Sequence, residues 1–251
     1  MEPAGTELAP GIRYAVTDRH GGFSGPPFDS RHLGGATEDS YQDVLRNRES
    51  TARELGLAPD RVVWMRQVHS ATVARVSRPW GSDAPGLDAV LTDEPGLALA
   101  ALAADCASVL LGDPVARLVG AAHSGRVGTL AGVVPNLVAA MAEAGAEPAR
   151  MTALVGPMAC GRCYEVPEPM RAEASATLPA LWSTTRQGTP ALDIRAAITA
   201  QLTAAGLTEI RHDPRCTIED PDLFSHRRDH RTGRFASYIW LEDRSQGSVT
   251  M

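Results

Sequence analysis

No apolar run in this 251-residue chain is long enough to cross a bilayer, which excludes a helical membrane protein. The N-terminus, Met1-Glu2-Pro3-Ala4-Gly5, is acidic and lacks the charged and apolar regions of a secretory signal, so a cytoplasmic location is expected. There is no low-complexity linker and no internal repeat, which argues for one domain rather than two. Positive charge is in deficit: a net charge of −6 argues against a protein that works on a nucleic-acid backbone. Four cysteines in a chain of this size are too few for a disulfide framework, and read as metal ligands, reactive thiols or core residues.

With 43% hydrophobic residues the chain can bury a full core. Ile12, Tyr14 and Val16 alternate with polar or small residues as in a strand. Tyr41, Val44, Leu45, Ala52 and Leu55 fall near helical spacing, and Gly56 stops that helix. Strand-like runs follow at 62–65, 72–76, 89–92, 96–101, 109–112, 117–122 and 151–155, with a last one at 235–240. Helices are expected at 129–144, where Pro135 implies a kink or a later start, and at 168–178 and 194–205. The expected fold is therefore α/β, or α+β, in a single domain of mixed β-sheets flanked by helices. Residues 1–10 and 243–251 are expected as tails around a catalytic domain at 11–242.

Chemistry concentrates in three soft ligands set in turns: His69 in Gln67-Val68-His69-Ser70, Cys106 in Ala104-Asp105-Cys106, and His123 in Ala122-His123-Ser124-Gly125. Two imidazoles and one thiolate fill three tetrahedral positions of Zn2+ and leave the fourth for water or substrate. None of the three has a partner at short metal-pair spacing, so they must converge by folding. Read alone, each has an ordinary alternative. His69 fits a solvated turn residue, His123 a strand-end histidine bonded to backbone, and Cys106 a small buried hydrophobe. Asp105 fits an acceptor for a ligand N–H or a residue orienting the loop.

Other segments lie in a recognisable order: Val16-Thr17-Asp18-Arg19-His20-Gly21-Gly22-Phe23-Ser24, Asn47-Arg48, Asp88-Ala89-Val90-Leu91-Thr92, Gly156-Pro157, Cys163-Tyr164-Glu165-Val166, Cys216-Thr217, Phe224-Ser225-His226-Arg227-Arg228 and Thr232-Gly233-Arg234. Together with the three ligand segments they resemble the YfiH family from about Val16 to Tyr238. That family was once called polyphenol-oxidase laccases. It is now described as zinc-dependent purine nucleoside phosphorylases, and also as a peptidoglycan editing factor. The resemblance implies a YfiH-like fold, with a catalytic zinc held by His69, Cys106 and His123. It implies phosphorolysis of adenosine, inosine, guanosine or methylthioadenosine, with adenosine deamination as a companion activity. The partners are then a purine nucleoside and inorganic phosphate, with no nucleic acid and no membrane. It also makes Asn47 and Arg48 notable near the site.

Inorganic phosphate needs a cluster of donors, and arginine forks suit its paired oxygens. No Walker-type glycine loop is present. Arg227-Arg228-Asp229-His230-Arg231 with Arg234 is a candidate, with Arg228 and Arg126 the residues expected at the anion; a solvated loop is its plain alternative, and a nucleic-acid patch is disfavoured because the rest of the chain supplies no matching positive face. The family commonly reads His-x-Gly-Trp-Arg-Gly after the second histidine, whereas here the run is His123-Ser124-Gly125-Arg126-Val127-Gly128, without the tryptophan and with the arginine one place earlier. His32 stands where the family usually has asparagine, and a surface loop position is expected for it. Cys160 and Cys163 form a Cys-x-x-Cys pair without a thioredoxin-like context. No His-x-Glu accompanies them, so the usual zinc-deaminase signature is missing.

Two rival readings are weighed, and one remains. Cys106 with His123 or His69 as base fits a Cys–His hydrolase or amidase acting on a peptidoglycan precursor. A multicopper oxidase needs about ten histidine and cysteine ligands, many as His-x-His pairs. Seven histidines and no His-x-His exclude it.

Overall fold

Alternation along the central strands builds the fold, because every second residue must be buried on a different face. The computed structural model describes residues 5–243. The strands are β1 (Thr6–Ala9), β2 (Ile12–Val16), β3 (Val62–Trp64), β4 (Val73–Arg75), β5 (Ala89–Thr92), β6 (Ala98–Ala103), β7 (Ala107–Asp113), β8 (Leu118–Ser124), β9 (Thr152–Val155), β10 (Trp182–Thr184), β11 (Pro190–Leu192), β12 (Glu209–His212) and β13 (Phe235–Leu241). The helices are α1 (Tyr41–Glu54), α2 (Arg126–Ala131), α3 (Val133–Glu143), α4 (Glu168–Thr177), α5 (Ile194–Ala204) and the single turn α6 (His226–Asp229). One mixed sheet runs β1-β2-β13-β6-β3, a second runs β12-β9-β7-β8-β5-β4, and β10 and β11 form a small hairpin.

The two large sheets face each other. Leu99 and Ala101 of β6 and Ile239 of β13 meet Val90, Leu110, Val119 and Ala121 from the second sheet in one apolar layer. The alternate residues Ala98, Ala100, Ala236 and Tyr238 point the other way, under Ala52 of α1. On the second sheet, Val109, Leu111, Leu118 and Ala122 turn outward and are covered by Val134, Leu137 and Met141 of α3 and by Ile198 and Leu202 of α5. A strand buried on both faces reads as an unbroken apolar run, which explains Ala98–Ala103 and Val109–Leu111. Each large aliphatic side chain buried in these layers contributes about 1.5–3 kcal/mol. Near the site end the sheets are tied by Ser108 Oγ and Ser237 Oγ, 2.5 Å apart and fully buried.

Two expectations change. The helix expected over 129–144 is two helices broken at Gly132, whose φ of 83° ends α2 and starts α3. Pro135 then falls in the first turn of α3, where its missing N–H costs no helical bond. The tail expected at 1–10 contains β1, which pairs antiparallel with β2 and buries Leu8 and Ala9. Of the tail expected at 243–251, only Asp243 falls within the described residues. Among the described residues no helix is long and apolar enough to cross a membrane.

Candidate metal centre

His69, Cys106 and His123 come from three separate pieces of the chain, and their ligand atoms all lie within 4.8 Å of one another. His123 sits near the end of β8, 4% exposed, where pairing with Ser108 of β7 fixes its direction. Cys106 follows the turn between β6 and β7, after Asp105 at φ 94°. His69 lies in the loop between β3 and β4 at φ 61°, exposed, with its Nε2 3.9 Å from Cys106 Sγ. The His69 and His123 rings meet edge to face at 4.8 Å. Non-glycine residues at positive φ are uncommon, and here one is the ligand His69 and another, Asp105, adjoins the ligand Cys106.

The residue that organises the cluster is Asp88, just before β5 and wholly buried. Its Oδ1 lies 2.8 Å from His123 Nδ1. Its Oδ2 accepts from the Val68 and Ser70 backbone N–H groups at 3.1 and 2.6 Å and from Ser70 Oγ at 3.0 Å. One carboxylate thus fixes the His123 tautomer, leaving Nε2 for a metal, and clamps both neighbours of His69. This is the role considered for Asp105, and Asp105 has the other one. Its carboxylate accepts from Thr217 Oγ1, Ser225 Oγ and the Arg227 N–H at 2.6, 2.7 and 2.6 Å, pinning the Cys106 turn to the C-terminal loops.

Charge follows from these contacts. Burial pushes the Cys106 thiol up, but His123 and His69 beside it outweigh that and hold it at about 6. Burial lowers His123, while Asp88 and the Cys106 sulfur raise it to about 9. Burial also opposes ionisation of Asp88, yet its bonds to His123, Ser70 and Val68 bring it down to about 2. A thiolate is therefore available near neutral pH, as a soft cation requires. Gly125 leaves room for the cluster, since a Cβ there would lie 2.6 Å from Cys106 Sγ and 3.2 Å from His69 Cδ2.

Cys106 opens on a cleft of about 160 Å³ whose walls include Asp105, Arg126, Tyr164, His226 and Arg227. Among the described residues, the Arg126 guanidinium has no hydrogen-bond or ion-pair partner. Arg227 stacks on Tyr164, 5.0 Å from its centroid, and reaches the Glu165 carbonyl at 3.0 Å. The chain contains no lysine, so guanidinium groups are its only permanent side-chain cations.

The other two arginines and the asparagine expected at substrate are engaged elsewhere and do not line the cleft. All five N–H groups of Arg228 are used: two on Asp229 and the rest on the Thr217, Asp220 and Leu223 carbonyls, at 2.7–2.9 Å. All of its donors are thus engaged within the chain. Arg48 stacks on Trp64 at 4.0 Å and bonds the Leu33 carbonyl. Asn47 is fully buried and bonds Phe23, Ser24, Ser30 and His32, holding the glycine-rich loop. His32 is buried against Phe28 rather than set in a surface loop, and stands outside the ligand cluster.

A two-sheet α/β domain with a His₂Cys cluster whose cysteine lines an arginine-bearing cleft defines the class of protein: one whose site fits a metal ion. The chain belongs to the family described as multi-copper polyphenol oxidoreductase laccase, which matches residues 13–242. It is 55% identical over 231 residues to purine nucleoside phosphorylase ORF3 of Streptomyces griseus, covering 91% of this chain and 94% of that protein. It is 46% identical over 231 residues to purine nucleoside phosphorylase Rv2149c of Mycobacterium tuberculosis, covering 92% of each. Among solved structures, YlmD from Geobacillus stearothermophilus superposes with a TM-score of 0.84 at 33% identity over 93% of both chains. Neisseria meningitidis NMB0706 gives 0.85 at 31% identity over 96% and 97%.

Proposed function

We propose that this chain is a zinc-dependent purine nucleoside phosphorylase, with adenosine, inosine, guanosine and methylthioadenosine as the substrate class. The observation that carries the reading is a cleft that joins Cys106 of a His₂Cys donor set to an arginine without a partner among the described residues. The names of the relatives point the same way. His69, Cys106 and His123 would hold the ion. Two imidazoles and one thiolate suit Zn2+ and leave a position open to substrate, whereas a multicopper centre needs many more ligands. Bound there, zinc supplies Lewis acidity toward an oxygen of the substrates.

The remaining work falls to the chain. Arg126 and Arg227 hold phosphate in the cleft as nucleophile, each charge-assisted hydrogen bond contributing about 1.5–3 kcal/mol. Tyr164 offers an aromatic wall for the base or ribose. Asp88 keeps the His123 proton on Nδ1, and Asp105 holds the loop that presents Arg227. Holding phosphate against the sugar converts an encounter of two solutes into one oriented complex. Adenosine deamination is the companion activity, read out as phosphate-independent inosine and ammonia.

The test is metal analysis of protein purified without added metal, alongside assay of purine release. About one zinc per His₂Cys site is expected. Inosine cleavage should require phosphate and yield ribose-1-phosphate; free ribose in amounts indifferent to phosphate overturns the reading.

A second reading rests on the Cys106–His123–Asp88 alignment and on the lowered thiol, which together suit a Cys–His hydrolase or amidase acting on a peptidoglycan precursor. Chelation separates the two. Under the zinc reading, chelator abolishes turnover, added zinc restores it, and Cys106 becomes alkylatable only when metal is stripped. Full-rate labelling of Cys106 in protein that stays active in chelator selects the hydrolase.

A further inference from the structure

Away from the His₂Cys cluster, the ligand atoms of Cys160, Cys163, Cys216 and Glu219 also lie within 4.8 Å of one another. They come as two pairs at the same spacing, Cys160-x-x-Cys163 and Cys216-x-x-Glu219, each on a tight turn. In the first turn the Cys163 and Tyr164 N–H groups both donate to the Cys160 carbonyl at 2.9 Å. In the second, the Glu219 and Asp220 N–H groups donate to the Cys216 carbonyl at 3.1 and 2.8 Å. A parallel bridge between Met158 and Cys216 sets the turns side by side, and the Cys160 N–H donates to Cys216 Sγ at 3.3 Å. We propose that this cluster is a second metal site, closed and structural, that takes one Zn2+ through Cys160, Cys163, Cys216 and Glu219.

Donor chemistry and geometry both suit the ion. Thiolates sharing one zinc stand about 3.8 Å apart, given Zn–S bonds of ~2.3 Å. Sulfur atoms already within 4.8 Å need to close by about 1 Å or less. Four protein ligands leave no open position, which is the mark of a structural site. Three thiolates and a carboxylate around a dication leave negative charge, and Arg186 stands where it offsets it. Its guanidinium pairs with Glu219 and donates to Cys163 Sγ at 3.3 Å. Glu219 is partly exposed and keeps the freedom to turn an oxygen inward.

A redox dithiol fits less well. Such a motif works with two cysteines. Here a third thiol, Cys216, and the Glu219 carboxylate stand within the same 4.8 Å. Three thiols crowded together repel as thiolates unless a cation sits among them.

The consequence reaches the cleft. Tyr164 and Ala159, which line it, flank the first turn. Thr217, next to Cys216, bonds Asp105 at 2.6 Å, and the Ala159 N–H bonds the Asp105 carbonyl at 3.0 Å. A zinc here would staple two chain segments that meet at the turn bearing Cys106, without taking part in the reaction.

The proposal is independent of the function assigned to the first site, and its test removes that site. His69→Ala/Cys106→Ser/His123→Ala should retain one zinc per chain by elemental analysis, and wild type should hold one more than this variant. Adding Cys163→Ser and Cys216→Ser should abolish the retained metal and lower Tm. Should that variant not fold, the folded triple variant still decides: stripped and given Co2+ alone, it should develop thiolate-to-cobalt charge-transfer absorption. A triple variant with no zinc and no such absorption overturns the proposal. So does freshly purified protein whose intact mass shows a disulfide among Cys160, Cys163 and Cys216.

Discussion

Asp88 holds His123 by one carboxylate oxygen and the loop carrying His69 by the other, so a single buried side chain sets two of the three candidate ligands. Both oxygens are needed as acceptors. Oδ1 faces a ring N–H, and Oδ2 faces two backbone N–H groups and a hydroxyl.

Asp88→Asn is nearly isosteric but has one acceptor where two are required. If its oxygen stays on the Val68–Ser70 loop, its NH₂ group faces His123 Nδ1 and forces the proton to Nε2, the atom meant for the metal. Metal affinity should fall about 10–100-fold, the usual effect of losing such a partner. Competition titration against a chelator reads this directly, and unchanged affinity with an unchanged fold would show that Asp88 does not set the tautomer.

Strands at the centre of the two sheets were legible in the sequence because both of their faces are buried. Ala89–Thr92 and Phe235–Leu241 are unbroken apolar or small runs, and α5 ends where Gly206 says it should. β1 and β12 were not legible. β1 has only Leu8 and Ala9 buried, and β12 lies mostly exposed at a sheet edge, so neither shows a period. Residue type and the family resemblance pointed to His69, Cys106 and His123. Asp88 was invisible as an organiser, because its partners lie 18 to 35 residues away and two of them are backbone groups. The engagement of Arg228 by backbone carbonyls was hidden for the same reason. Carbonyls that take up a guanidinium leave no side-chain signature, so only the folded chain tells a free arginine from an occupied one.

Gly125→Ala tests the packing of the cluster. A methyl group 2.6 Å from Cys106 Sγ must displace the sulfur or the His69 ring, and neither moves without opening the donor set. Loss of bound metal is expected with little change in the apo-protein Tm. Gly25→Ala is the control, since nothing lies within 4 Å of a Cβ there. Equal metal content in both variants would mean the site relaxes freely around the added carbon.

Two arginines should behave in opposite ways. Arg126→Gln removes a cleft cation with no partner among the described residues, so the phosphate KM should rise about 10-fold or more, the equivalent of ~1.4 kcal/mol, with Tm unaffected. Arg228→Gln breaks the bonds holding residues 217–223, so stability should fall by about 3 kcal/mol, or about 10 °C in Tm. Thermal melts and phosphate titrations on both variants check this. A phosphate KM raised by Arg228→Gln alone would return the anion site to that residue.

His32 makes acid stability depend on one ring. Its Nδ1 accepts from the Arg234 and Gly34 N–H groups at 2.8 and 3.3 Å, so the proton sits on Nε2, which donates to Thr37 Oγ1 at 2.7 Å. A second proton would have to enter between two N–H donors. Burial is the main cause that lowers its pKa to about 4; Asp39 opposes this, while Arg234 and Arg48 reinforce it. In the unfolded chain the same ring takes a proton below about 6.5. Between those values the unfolded state binds more protons, so stability is full above pH 6.5 and drains away as pH falls toward 4. The loss attributable to this ring is about 3 kcal/mol at the acid end. His32→Asn offers an uncharged oxygen to the same two N–H groups and should remove that part of the acid sensitivity. Denaturant unfolding of metal-stripped wild type and variant at pH 7, 5.5 and 4 gives the comparison. The stability difference should shift in favour of the variant as pH falls, and parallel curves would show that His32 is protonated in the folded chain without penalty.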